Sequence, residues 1–230
     1  MRRHMGLFLS LPILILPILV GCTSTKDMAL NPDIKSLDTQ KKSIAIFTLT
    51  VRNDFKPDYG LAPCNILVKP SAGSGTWFTL AGDWQGNGAH PGWYNWKGTI
   101  DFPVSLGLDP GKYVISNVVA GGSAVILNWH SSFPLNAEFD LPPRSVVYLG
   151  HMVMANRERK DDEPRSGPVI GPDLVLGLIP AFVEQGVSGM SGGTMDISIT
   201  DQSSEDIPKF LAKCPCLQAM AIKTAIATKQ

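Results

Sequence analysis

The sequence predicts a mainly β protein: an antiparallel β-sandwich with a short C-terminal helical segment. Two observations carry this. Runs of period-two apolar residues recur at close spacing with Gly and Pro turns between them, and no helical period appears before residue 200. The composition agrees. A chain of 230 residues that is 44% apolar and 17% charged has apolar side chains for a packed domain and too little charge for a disordered one. Lys+Arg 20 balances Asp+Glu 20, so nucleic acid has no electrostatic reason to bind.

The first twenty-two residues stand apart. Arg2, Arg3 and His4 form a basic head, and Met5 to Val20 carries no charge. This apolar stretch holds Pro12 and Pro17 and falls short of the roughly 20 residues a membrane span needs, so it reads as the core of an export signal. It closes on Leu19-Val20-Gly21-Cys22, which resembles the bacterial lipobox. The resemblance implies that residues 1–21 are removed and that Cys22 becomes an acylated N-terminus, with two or more chains holding the protein on the membrane stably. Thr23 follows the cysteine. In the Gram-negative lipoproteins that the pattern resembles, an Asp there favours the inner membrane. The expected location is therefore the cell envelope, lipid-anchored at the outer membrane and facing the periplasm.

Residues 22–42 are polar and without periodicity, which predicts the lipidated cysteine and a flexible tether spanning about 25 Å. Residues 43–202 form the predicted sandwich. Ala45, Phe47, Leu49 and Val51 alternate with polar or outward residues, as do Ile100, Phe102, Val104 and Leu106, and again Met195, Ile197 and Ile199. Shorter strands are expected at 63–69, 76–80, 112–119, 124–129 and 137–141. The run 145–155 is apolar on both faces and belongs at the centre of a sheet. A strand broken by Pro172 and Pro180 is expected over 169–182. Asp109-Pro110-Gly111 supplies a tight turn, and Gly121-Gly122 a hairpin.

Residues 203–230 are expected to be helical. Ser203-Ser204-Glu205-Asp206 offers a cap and first-turn acids, Ile207, Phe210 and Leu211 fall at helical spacing, and Pro215 stops the helix. The alanines at 219, 221, 225 and 227 favour a second helix over 218–228, with a closing strand as the alternative.

Two phrases carry a further resemblance. Leu108-Asp109-Pro110-Gly111-Lys112-Tyr113 resembles the turn and strand of prealbumin-like and carboxypeptidase-regulatory-like sandwiches. Leu141 to Gly150 is similar to a strand of small uncharacterised bacterial lipoproteins. What the resemblance implies is a fold, prealbumin-like or immunoglobulin-like, with no catalytic residues to carry over.

Cysteines in an oxidising compartment can pair. Besides Cys22 the chain has Cys64, Cys214 and Cys216. The expectation is a bridge from Cys64 to Cys214 or Cys216, closing a loop of about 150 residues and contributing about 4–5 kcal/mol.

No catalytic set emerges. Gly189-Met190-Ser191-Gly192-Gly193 matches the nucleophile-elbow pattern, but that motif needs a helix after it, and here an alternating strand follows. Of the histidines past the signal, 90, 130 and 151, no two share a metal-ligand spacing, so neither a metal nor a cofactor is expected. The charge-dense run from Arg157 to Arg165 reads as a solvated loop. The stretch that invites a partner is aromatic: Trp77, Trp84, Trp93, Tyr94 and Trp96, interleaved with Asp83, Gln85, Asn87, His90 and Asn95. Such a mixture suits a protein partner's hot spots or the stacking of a glycan. The reading is a non-enzymatic envelope binding or assembly-accessory module, with a glycan-binding lipoprotein as the alternative.

Overall fold

In the computed structural model the described residues are 25–30, 33–80, 99–124, 127–166, 169–170, 189 and 192–230. The strands are β1 (Thr25–Asp27), β2 (Ser43–Asn53), β3 (Ala62–Pro70), β4 (Thr76–Thr79), β5 (Ile100–Leu108), β6 (Gly111–Ala124), β7 (Leu127–Leu141), β8 (Val146–Glu158), β9 (Val169–Ile170), β10 (Gly193–Thr200), β11 (Ile222–Thr224) and β12 (Thr228–Lys229). Among the described residues one α-helix, α1 (Ser203–Lys213), and a 3₁₀ turn, Pro215–Leu217, lie between β10 and β11.

The strands form two sheets around one core, an arrangement compatible with a β-sandwich. The first runs β1-β4-β3-β6-β7-β12, with β9 also on β7. The second runs β10-β8-β2-β5, with β11 also on β8. Phe47, Leu49, Val104 and Leu106 of the second sheet join Ile66, Phe78, Ile115 and Phe133 of the first in a single buried cluster. Aromatic and β-branched side chains fit this environment because each presents a large apolar area from a pleated backbone.

Both sheets are mixed, which corrects the expectation of an antiparallel sandwich. β1 pairs β4, β2 pairs β8 and β11 pairs β8, each in parallel. The reason is connectivity. The chain leaves β2, builds β3 and β4 of the other sheet, and returns to β2's sheet only through β5 and β8. β8 then starts at the same end as β2, with Ile44 opposite Val146. The two-sided apolar run at 145–155 becomes β8, central as expected, between β2 on one flank and β10 and β11 on the other. β2 departs from its half-buried pattern: ten of its eleven residues are buried. The helix α1 lies against β8 and covers part of the face of this sheet turned from the sandwich core.

Within the stretch read as a tether, residues 25–30 are part of the fold. β1 extends the first sheet through Thr25↔Trp77 and Asp27↔Thr79. The chain then crosses to the second sheet. The Ala29 amide donates to the Ser105 carbonyl at 2.9 Å and the Leu30 amide to Ser105 Oγ at 2.9 Å. Met28 and Leu30 enter the core, Leu30 with 1% of its surface exposed. Two apolar residues in a short polar sequence carry no readable period, and their burial is set by the open edge between β4 and β5 that they close.

At the C-terminus, α1 and its stop at Pro215 follow the prediction, and Phe210 is fully buried. The cap is Gln202 instead of a serine, and Asp201 Oδ1 accepts from the Ser203 amide at 2.9 Å. The second helix expected over 218–228 is replaced by β11 and β12. Sheet edges override alanine propensity here: β11 pairs the start of β8, and β12 pairs Ala137 and Glu138 of β7. The hairpin expected at Gly121-Gly122 also moves. β6 runs through both glycines, opposite Trp129 and His130, and ends at Ala124. Of the strand expected over 169–182, Val169–Ile170 pairs β7, and the remainder lies outside the described residues.

Candidate functional site

The most developed polar constellation lies between β2, β5, β8 and α1. Asp206, in the first turn of α1, is fully buried. Its Oδ2 accepts from the Tyr148 hydroxyl at 2.7 Å and from His151 Nδ1 at 3.1 Å. On the other side of the ring, His151 Nε2 lies 2.8 Å from Thr50 Oγ1, and Thr50 Oγ1 lies 2.8 Å from Asp101 Oδ1. Lys209, one turn after Asp206, spans the two carboxylates, with Nζ 3.4 Å from Asp206 Oδ1 and 3.5 Å from Asp101 Oδ2. Tyr148, His151 and Thr50 are buried, while Asp101 and Lys209 reach solvent.

The strand geometry explains the gathering. β2 and β8 are parallel neighbours with Thr48 opposite His151, and a register shift between Ile46 and Thr48 re-aims the side chains. β5 brings Asp101 directly opposite Thr50.

Thr50 has one hydrogen for two neighbours, His151 Nε2 and Asp101 Oδ1, so the proton on the ring decides which bond its hydroxyl donates. A neutral His151 lets Thr50 donate to Nε2. A doubly protonated ring donates to Thr50, whose own hydrogen then goes to Asp101. The connectivity of the group, carboxylate to imidazole to hydroxyl, resembles that of an activated nucleophile. Thr50, however, is 3% exposed, and its hydroxyl sits between two protein partners. As it stands, the group docks α1 on the sheet.

Burial and the adjacent Asp206 carboxylate push the Tyr148 hydroxyl well above the ordinary tyrosine range. At Lys209 burial opposes the charge, and Asp206 and Asp101 together outweigh it and raise its pKa. The Tyr148 contribution is therefore complete below about pH 10 and is lost as pH rises towards the higher folded value. Above about pH 10 the wild type should lose stability that Tyr148→Phe does not lose. Urea midpoints of the two proteins across this range check it, and parallel curves would contradict it.

No protein-family model, curated protein or solved structure matches this chain.

Cys22, Trp84, Trp93, Tyr94 and Trp96 lie outside the described residues. Trp77 is on β4, half-buried, while its neighbour Phe78 enters the core. The charge run 157–165 is more ordered than a solvated loop. Arg157 makes a bidentate pair with Glu163, both bonds 2.7 Å, and a third bond of 2.7 Å to Asp196. Arg157 holds the Glu163 carboxyl down at about 2, helped by the Lys160 amide.

The cysteine pairing is corrected. Cys214 and Cys216 are bonded to each other, with Cα atoms 5.1 Å apart, and Cys64 is free. Cys64 sits on β3 of the first sheet with Sγ donating to the Ala62 carbonyl at 3.4 Å. Cys214 ends α1, which packs on the second sheet. Burial pushes the Cys64 thiol up to about 11, outweighing the Gly121 backbone hydrogen bond that lowers it. At pH 8 only roughly a thousandth of it is thiolate. Iodoacetamide should leave Cys64 unmodified in the native protein. In urea without reductant it should mark Cys64 while sparing 214 and 216. Peptide mapping reads this, and a silent Cys64 in urea would restore the long-range bridge.

The sandwich end that contains the turn at 109–110 also carries an open cleft of about 320 Å³. Tyr113 and Phe139, stacked at 5.6 Å, line it with Lys112, Glu138, Asp140 and Ile226.

Sequence reasoning missed Thr50, Asp101, Tyr148, Asp206 and Lys209. The i, i+3 pairing of Asp206 with Lys209 on a helix was visible, as was an isolated histidine in an apolar strand. Nothing local joins the rest, because their contacts span 51 to 108 residues.

Proposed function

We propose that this chain is a lipid-anchored protein of the bacterial cell envelope. It acts as a non-enzymatic binding or assembly-accessory module, held at the outer membrane and facing the periplasm. One observation carries the reading. Leu19-Val20-Gly21-Cys22, behind a basic head and an apolar run, stands only two residues ahead of the first strand at Thr25. A sorting signal ends where a folded domain begins. The prealbumin-like sandwich is part of the same reading, supported by the turn between β5 and β6 and by the single core shared by two sheets.

The partner surface proposed is the aromatic stretch Trp77 to Trp96, whose tryptophans and amides suit a protein interface. A photoreactive residue at Trp93 of the full lipoprotein in native cells tests this. One discrete crosslinked protein, identified by mass spectrometry, supports an accessory subunit. Absence of any protein adduct, with retention on peptidoglycan or surface polysaccharide that Trp93→Ala abolishes, moves the function to glycan binding.

A further inference from the structure

β1 runs parallel to β4, with Thr25 opposite Trp77 near the start of β4. Thr25 therefore lies at the end of the first sheet that carries the turn at 71–75. β3 ends at this end of the sandwich, and β6 starts there with Tyr113 opposite Pro70. The turns at 109–110 and 142–145 lie there too, as Gly111 pairs Leu141. Cys22 precedes Thr25 by three residues, which is about 10 Å of chain at full extension. That is close to one Debye length in physiological salt.

The same end is basic. Lys41 and Lys42 enter β2, Lys69 lies near the end of β3, Lys112 near the start of β6, Arg144 in the turn before β8, and Lys223 in β11 beside the start of β8. All six are exposed. Asp38, Asp109, Glu138 and Asp140 oppose them, and Lys42 is paired with Asp109 at 2.7 Å. The opposite end shows no such excess among the described residues. Arg157 to Arg165 balances its charges, and Arg52 and Lys56 are matched by Asp54 and Asp58.

We propose that this basic end lies on the phosphate layer of the leaflet that holds the acyl chains of Cys22, fixing the domain's orientation on the membrane. The inference rests on the anchoring reading above and adds to it a docked face. A short anchor keeps the basic end near the phosphates, and the charge asymmetry selects that end for contact. The opposite end, with the run 157–165, then points away from the bilayer.

Lysine acetylation read by mass spectrometry tests this on the full acylated protein. It is compared in neutral detergent micelles and in vesicles of phosphatidylethanolamine with phosphatidylglycerol. Lys41, Lys69, Lys112 and Lys223 should react at least about fivefold more slowly in the vesicles, while Lys56 and Lys160 keep their rates. Equal rates at both ends, on a protein whose intact mass shows the acyl chains, overturn the docking alone. An intact mass without acyl chains overturns the anchoring reading and the docking with it.

Discussion

Asp206→Ala should lower stability by about 3–5 kcal/mol. The carboxylate is fully buried and accepts from both Tyr148 and His151 while Lys209 approaches its other oxygen. Alanine leaves a phenol and an imidazole in an apolar setting with no acceptor. Each pays its desolvation without return. Tyr148→Phe, which removes the hydroxyl along with its need for a partner, should cost only about 1–1.5 kcal/mol. A double-mutant cycle between the two sites, read from urea midpoints, should show coupling of about 1 kcal/mol. An Asp206→Ala protein as stable as wild type would mean that α1 is held by Phe210 and its apolar neighbours alone.

Leu30→Ala should cost about 2–5 kcal/mol, the range for deleting a fully buried leucine side chain. The size of this effect separates two pictures of residues 22–42. On a flexible tether the substitution is silent. In the structure Leu30 is 1% exposed and its amide is bonded to Ser105 Oγ, so its loss opens a void where the two sheets meet. Hydrogen exchange gives an independent reading, with the Ala29 and Leu30 amides protected. Random-coil exchange there, together with an unchanged urea midpoint for Leu30→Ala, would return the segment to a tether.

Much of the sheet architecture was legible because strand burial writes a period of two. β2, β5, β8 and β10 appear where alternation, or a two-sided apolar run, places them. The pairing was not legible. Whether β8 lies parallel or antiparallel to β2 depends on which sheet the intervening strands join, and no local pattern encodes that. The same limit hid the polar site. His151 was visible as a lone histidine and Asp206 as a helix-start acid, yet their contact crosses 55 positions. The C-terminal alanines show the reverse case. Local propensity pointed to a helix, and two open strand positions, beside β8 and β7, claimed the residues instead.

The segment from Cys22 to Leu30 unites the fold and the proposed function. Its first residue carries the proposed anchor, and its last residues close the core. The domain would then be held at the membrane by a short link, and a lengthened link should weaken the acetylation contrast between the two ends.

The most direct test of this account is the intact mass of the protein extracted from the membrane fraction of cells expressing the full chain. The account predicts a polypeptide from Cys22 to Gln230 carrying a diacylglyceryl group and an acyl chain on Cys22, and the unmodified chain in the soluble fraction for Cys22→Ala. A chain that retains residues 1–21, or one that starts beyond Cys22 without lipid, would contradict it.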